Sequence, residues 1–148
     1  MFHAISVNFK TMAEVEDSLL KFAVIVCRYR GQWIFCRHRE RSTWEVPGGH
    51  REAGETILKT AGRELYEETG ALDFDLQPVC VYCVVRDPAN DGEGSHGLLC
   101  YADVKTLGEL PASEMEEVLL ADDLPESMTY PLIQPHLHAA VKSWLGES

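Results

Sequence analysis

Glu64, Glu67 and Glu68 stand at positions i, i+3 and i+4. In a helix, where each residue turns the chain by about 100°, all three project along one side. Beside them Ile57, Leu58, Ala61 and Leu65 form an apolar stripe that predicts packing on a sheet, and Glu68 overlaps its edge. Like charges at this spacing repel by about 0.2–0.5 kcal/mol per solvated pair, and by more where water is partly excluded. Arg63 can reach Glu67 one turn on and Lys59 can reach Glu55, but two cations do not quench a cluster that also holds Glu52 and Glu55. Hard divalent ions take carboxylate oxygens, and magnesium commonly uses one or two of them together with substrate phosphates. A Mg2+ site is the chemistry this cluster points to, with Mn2+ as a substitute. A solvated acidic helix face is the alternative reading of the fragment taken alone.

The elements that must position these acids can be read from periodicity and punctuation. Phe22-Ala-Val-Ile-Val-Cys reads as a buried strand, Arg30-Gly31 as a turn and Gln32-Trp-Ile-Phe-Cys as the partner strand of a hairpin. Trp44-Glu-Val-Pro-Gly-Gly starts extended and ends in residues expected to stop a strand. Gly48 and Gly49 either let backbone approach a metal or phosphate, or make a tight turn. A helix is predicted from about Gly54 to Thr69, with Glu55 in its first turn and Gly70 as its stop. Gly62 inside it, at a cost of roughly 1 kcal/mol relative to alanine, predicts close packing there. A second hairpin comes next, from Gln77–Val85 and His96–Val104 around the polar loop 87–95, then a short strand at Glu116–Leu120 and a terminal helix over Pro135–Leu145. Leu124–Pro131 is read as an ordinary connection. Strands on both sides of one helix, with a second helix at the end, indicate an α/β chain with a mixed sheet covered by helices.

Taken together, Gly49 to Ala71 reads G-x5-E-x7-R-E-L-x-E-E-x-G followed by a small apolar residue. This resembles the signature of the Nudix hydrolase family, the Nudix box, with every defining polar and glycine position filled. Ala71 stands where a larger aliphatic is usual, which touches local packing and not chemistry. The box covers 23 of 148 residues, and the preceding Trp-Glu-Val-Pro-Gly-Gly also looks like that family's entry to its loop. The resemblance implies one domain over residues 1–148, an α/β/α sandwich with a mixed β-sheet and a loop-helix-loop catalytic motif. It implies that Glu64, Glu67 and Glu68 bind the divalent metal, that Glu55 and Arg63 brace loop and helix, and that Gly49 shapes the metal-binding turn. The implied reaction is metal-dependent hydrolysis of a phosphoanhydride in a nucleoside diphosphate-linked substrate. Its general base is Glu64 or a glutamate outside the box: Glu93, Glu114, Glu116 or Glu117.

For the substrate, family members that cleave ADP-ribose often carry a proline a short way beyond the box, where this chain has Val84-Val85-Arg86 and then a displaced Pro88. Dinucleoside polyphosphate hydrolases often have a tyrosine slightly farther on, and Arg86-Asp87-Pro88 offers none. A nucleoside triphosphate, including an oxidised purine such as 8-oxo-dGTP, is the expected substrate. Arg37, Arg39, Arg41, His50 and Arg51 flank the box and are candidates to contact its phosphates. Trp33, Trp44, Tyr82 and Tyr130 either stack on a base or fill core and rim. A catalytically silent nucleotide sensor and a protein-interaction module built on the acidic 108–127 segment are the competing classes, although a sensor would be expected to have lost box carboxylates.

Composition sets the outer bounds. With 13 Lys+Arg against 24 Asp+Glu the net charge is −11, which disfavours stable nucleic-acid or anionic-membrane binding. A hydrophobic fraction of 45% excludes a disordered chain, and the apolar run Phe22–Cys27 is far short of a membrane helix. The opening residues MFHAISVNFK show no secretory pattern. Cysteines at 27, 36, 80, 83 and 100 do not read as a disulfide framework, so a cytoplasmic location is expected. Cys80 and Cys83 are read as core residues, and His136 and His138 as surface residues with no shared metal. The expected partner is a small nucleotide, and a homodimer is allowed.

Overall fold

The computed structural model describes residues 5–86 and 94–147. Its strands are β1 (Ser6–Lys10), β2 (Leu20–Tyr29), β3 (Gln32–His38), β4 (Gly48–His50), β5 (Ala71–Val85), β6 (Ser95–Leu107) and β7 (Met115–Ala121), and its helices are α1 (Ile57–Thr69) and α2 (Gln134–Trp144). The sheet runs β1-β5-β6-β2-β3-β7, and β4 pairs with β2 farther along the edge that β3 occupies. It is mixed, because β2 lies parallel to β6 while the other pairings are antiparallel. A parallel strand buried on both faces needs a continuous apolar run, which Phe22–Cys27 supplies.

Strand alternation sends the two halves of that run to opposite cores. Ala23, Ile25 and Cys27 join Leu98, Cys100 and Ala102 of β6 under Ile57, Ala61 and Leu65 of α1. Val26 joins Trp33, Phe35, Leu99 and Tyr101 under Ile133, Leu137 and Val141 at and within α2. The molecule is therefore an α/β/α sandwich. The β2–β3 turn has positive φ at both central residues, 51° at Arg30 and 82° at Gly31, as a two-residue hairpin turn matched to strand twist requires.

Several expectations need correction. Gly48–His50 does not stop a strand but forms β4, pairing antiparallel with Phe22–Val24. β1, which carried no expectation, pairs with β5 from Val81 to Val85. α1 begins at Ile57, not Gly54, because Thr56 caps it by accepting from the Lys59 N–H at 3.2 Å. Leu58 is 43% exposed, since the buried face also takes in Thr60 and Glu68 and is thereby rotated away from it. Gly62 is not tightly packed: a Cβ there would lie 3.8 Å from the Phe74 ring. Cys83 is buried and Cys80 half-buried, and neither is in a disulfide. His138 is buried, not superficial, because the face of α2 that carries Leu137 and Val141 also turns it onto the sheet. Residues 87–93, with Glu93 and Pro88 and most of the expected polar loop, lie outside the described residues. No helix among the described residues is long and apolar enough to cross a membrane.

Candidate active site

The site forms where the β2–β3 hairpin splays apart. The two strands pair only at Arg28–Trp33 and Tyr29–Gln32, after which β3 turns to β7 and a gap opens beside β2. Residues 44–50 bridge that gap. Glu45 exchanges two backbone hydrogen bonds of 2.9 Å with Cys36 of β3, Pro47 accepts from Ile25 of β2 at 2.9 Å, and β4 continues the β2 pairing. Trp44 is held from outside by Ser127 and Thr129, so the segment read as an ordinary connection is hydrogen-bonded to the bridge.

Across the bridge stands α1. Gly48 N–H donates to Glu68 Oε1 at 2.8 Å, and that bond is the only hydrogen bond to this buried carboxyl among the described residues. Burial, opposed only in part by the Gly48 bond, pushes the Glu68 carboxyl up to about 8. The Glu64 carboxylate lies directly against Gly49, where any Cβ would run into it. Burial also raises the Glu64 carboxyl, although Arg63 opposes the rise.

The bracing of the loop is geometric. Glu55 lies outside α1 and turns its carboxylate back onto the helix. One oxygen accepts from Glu52 N–H at 3.0 Å, Thr60 Oγ1 at 2.8 Å and Arg63 Nη2 at 3.0 Å, and the other from Arg63 Nε at 2.6 Å. The Arg63 fork, followed by the Glu52 N–H, holds this carboxyl down at about 2. Arg63 also donates to Glu64 at 2.6 Å, to Glu67 at 3.4 Å and to the His50 carbonyl at 3.1 Å. Among the described residues the cation paired with these acids is Arg63, and Lys59, expected to help neutralise them, forms no ion pair there.

A cleft of about 660 Å3 opens over this arrangement. Phe22, Tyr82 and Val84 line it together with Ile133 and Leu137, and the carboxylates of Glu64 and Glu68 face it. Its other polar lining includes Glu45, Glu114, His38 and Arg41. Of the residues expected to contact phosphate, His50 and Arg41 line the cleft. The remaining three are engaged elsewhere. Arg37 pairs with Glu117 at 3.0 Å and Glu116 at 3.9 Å, and Arg39 donates to the Ser113 carbonyl. Arg51 straps the chain before β2 to the loop, through Asp17 at 2.8 Å and the Glu55 carbonyl at 2.8 Å. Among the aromatic candidates, Tyr82 and Tyr130 line the cleft, while Trp33 is core and Trp44 packs beside it. Sequence reasoning passed over His38 and Gln134, which carry no local motif, and gave Val46 no role beyond its place in Trp44-Glu-Val-Pro-Gly-Gly.

The carboxylate oxygens of half-buried Glu64 and buried Glu68, both on the cleft, are a donor set that suits a hard divalent cation. Arg63 holds Glu64 and Glu67 in the present arrangement, and among the described residues no three acidic, histidine or cysteine side chains converge on one point.

Sheet order, a loop-helix-loop between β4 and β5, and acids turned toward one cleft define the class. The NUDIX domain family model matches residues 18–136, and the chain belongs to that family. Its members generally use divalent metals. The chain is 41% identical over 51 residues, 34% of its length and 32% of the relative's, to YtkD of Bacillus subtilis strain 168, named provisionally as an 8-oxo-dGTP diphosphatase. It is 34% identical over 59 residues, 40% of its length and 34% of the relative's, to an RNA pyrophosphohydrolase of Pseudoalteromonas atlantica. Each match thus spans about a third of the curated relative. In fold it is similar to the crystal structure of a mutant of the Bacillus subtilis pyrophosphohydrolase BsRppH, with a TM-score of 0.74, 23% identity and 97% of both chains covered.

Proposed function

We propose that this chain is a divalent-cation-dependent pyrophosphohydrolase that cleaves a phosphoanhydride in a nucleoside triphosphate, oxidised purine nucleotides included. The observation that carries the reading is the pair of carboxylates on the cleft, half-buried Glu64 set against Gly49 and buried Glu68 held by the Gly48 N–H. Glu64, Glu67, Glu68 and the Gly49 turn would hold the cation, Mg2+ by preference with Mn2+ as a substitute. Bound there, it would supply charge neutralisation at the phosphates and a more acidic attacking water. Glu55 and Arg63 hold loop and helix in register, and His50 and Arg41, which line the cleft, would contact phosphate oxygens. Glu64 accepts the proton of the attacking water; Glu114, which lines the same cleft, is the alternative base. A cytoplasmic location is part of this reading, on the odd number of scattered cysteines.

The test is incubation of the protein with canonical and oxidised nucleoside triphosphates, ADP-ribose, dinucleoside polyphosphates and nucleotide sugars, with Mg2+ or with EDTA. Phosphate or pyrophosphate release should require the metal and vanish in the Glu67→Gln/Glu68→Gln double variant. Nucleotide binding without turnover would instead favour a sensor, and neither binding nor turnover would favour the interaction module. Near-normal turnover of Glu64→Gln at saturating Mg2+ would remove Glu64 as base.

A further inference from the structure

The bridge that carries Gly48 and Gly49 is secured to main chain at almost every residue, and the exception is Val46. Trp44 is bonded to the 127–129 segment, Glu45 to Cys36, Pro47 to Ile25, and Gly48–His50 to β2. Val46 sits where the bridge passes from β3 to β2, and its backbone bonds to neither strand among the described residues. Its N–H and carbonyl are buried and satisfied by one side chain: Gln134 Oε1 accepts from Val46 N–H at 2.8 Å, and Gln134 Nε2 donates to the Val46 carbonyl at 3.4 Å. A primary amide presents the same donor and acceptor as a peptide group, so Gln134 acts here as a one-residue strand. It is 6% exposed and stands at the first position of α2.

We propose that Gln134 is a positioning residue for the carboxylate pair, acting through Val46. The path is short and stiff. Val46 is followed by Pro47, whose φ is fixed by its ring, and then by the Gly48 N–H that holds Glu68 and the Gly49 backbone that abuts Glu64. Breaking the amide pair frees the middle of the bridge while leaving both of its ends paired. α2 also brings Leu137, and Ile133 just before it, to the cleft, so the residue that fixes the bridge belongs to the element that walls the substrate space. Gln134 touches neither the reacting atoms nor a phosphate in this scheme; a catalytic consequence rests on the function proposed above, whereas the effect on Gly48 does not.

The experiment uses two variants. Gln134→Met keeps the side chain's length and removes both hydrogen bonds; Gln134→Glu keeps an acceptor for the Val46 N–H. Amide hydrogen exchange at Gly48, read by NMR without any substrate, should be faster in Gln134→Met than in wild type while the Ala102 amide, deep in β6, is unchanged. Gln134→Glu should restore Gly48 protection toward the wild-type rate. With the substrate found by the panel, Gln134→Met should lose about ten- to a hundred-fold in kcat with KM nearly unchanged, and Gln134→Glu should recover much of the loss. Wild-type protection of Gly48 in a folded Gln134→Met protein would overturn the proposal, as would a loss confined to KM. If Gln134→Met does not fold, Gln134→Glu decides, because a folded Glu variant with Gly48 fully unprotected would overturn it equally. A wild-type protein inactive on the whole panel would count against the proposed function and leave the exchange result standing as the test of Gln134.

Discussion

A methyl group would meet opposite fates at Gly49 and Gly62, two glycines of the same loop-helix unit. At Gly49 it would enter the Glu64 carboxylate, so Gly49→Ala must displace a proposed ligand. A displacement of about 1 Å at a reacting centre can cost about a hundred-fold in rate. Gly49→Ala is therefore expected to lose activity on that scale while its thermal midpoint, tracked by circular dichroism, moves little. At Gly62 the nearest atom would be the Phe74 ring at 3.8 Å, an ordinary contact, and the helical backbone there suits alanine better than glycine. Gly62→Ala should raise unfolding free energy by about 0.5–1 kcal/mol in urea titration, with kcat unchanged. Sequence alone attached close packing to Gly62 and left Gly49 open between two roles. Spacing tells which residues share a helix face, but not how much room lies above a given Cα. The acids were legible because the box is contiguous and its geometry is helical repetition. Gln134 was not legible, because its partner Val46 is 88 residues away in sequence and only the tertiary fold brings the two together.

At the scale of elements, the two helices differ in how much of their orientation the chain itself reveals. α1 carries both an apolar stripe and a charged one, so its phase was readable apart from the rotation that exposes Leu58. α2 is short and mixed, and the fate of His138 depended on which strands lay beneath it. His138 packs edge-on against Trp33, with centroids 4.5 Å apart, and 6.1 Å from Phe35, and neither ring nitrogen has a hydrogen-bond partner among the described residues. Burial, reinforced by Lys142 and Arg28 and opposed by Asp123, lowers this imidazole to about 4 from an ordinary 6.5. Below pH 6.5 the unfolded chain takes up a proton that the folded chain refuses until about pH 4. The stability that neutral His138 contributes is thus complete above pH 6.5 and is lost as the pH falls toward 4, by at most about 1.4 kcal/mol per pH unit. His138→Leu has no such proton to exclude. Urea midpoints measured at pH 8 and pH 5 should show the advantage of the leucine variant over wild type growing at the lower pH; an equal gap at both would contradict a buried neutral histidine.

At the scale of the whole molecule, charge bears on which triphosphate the proposed activity would favour. The relatives named above include a provisionally named 8-oxo-dGTP diphosphatase and an RNA pyrophosphohydrolase, and a nucleoside triphosphate and a triphosphorylated RNA end present the same terminal group. The difference lies behind that group, where one carries a single nucleoside and the other a chain of further phosphates. Each phosphate of an RNA body that a protein engages requires a cation, and engagement appears as a salt-dependent affinity. This chain has 24 acids against 13 Lys+Arg. Several of its arginines are already committed: Arg37 to Glu117, Arg51 to Asp17, Arg63 to the box acids and Arg28 to Glu147. The cleft itself counts five glutamates among its lining, Glu45, Glu52, Glu64, Glu68 and Glu114. Under the proposed function such a surface would meet a terminal polyphosphate through a bound cation and a few side chains, and would offer little to a trailing chain of phosphates. KM should consequently be no lower for a triphosphorylated oligonucleotide than for the matching nucleoside triphosphate, and raising salt should change the two alike. Steady-state kinetics with both substrates across a salt series measures this directly. A KM that falls with oligonucleotide length at low salt, and rises steeply as salt is added, would mean that the few cations of the cleft suffice as a nucleic-acid track and that net charge is the wrong guide to this substrate.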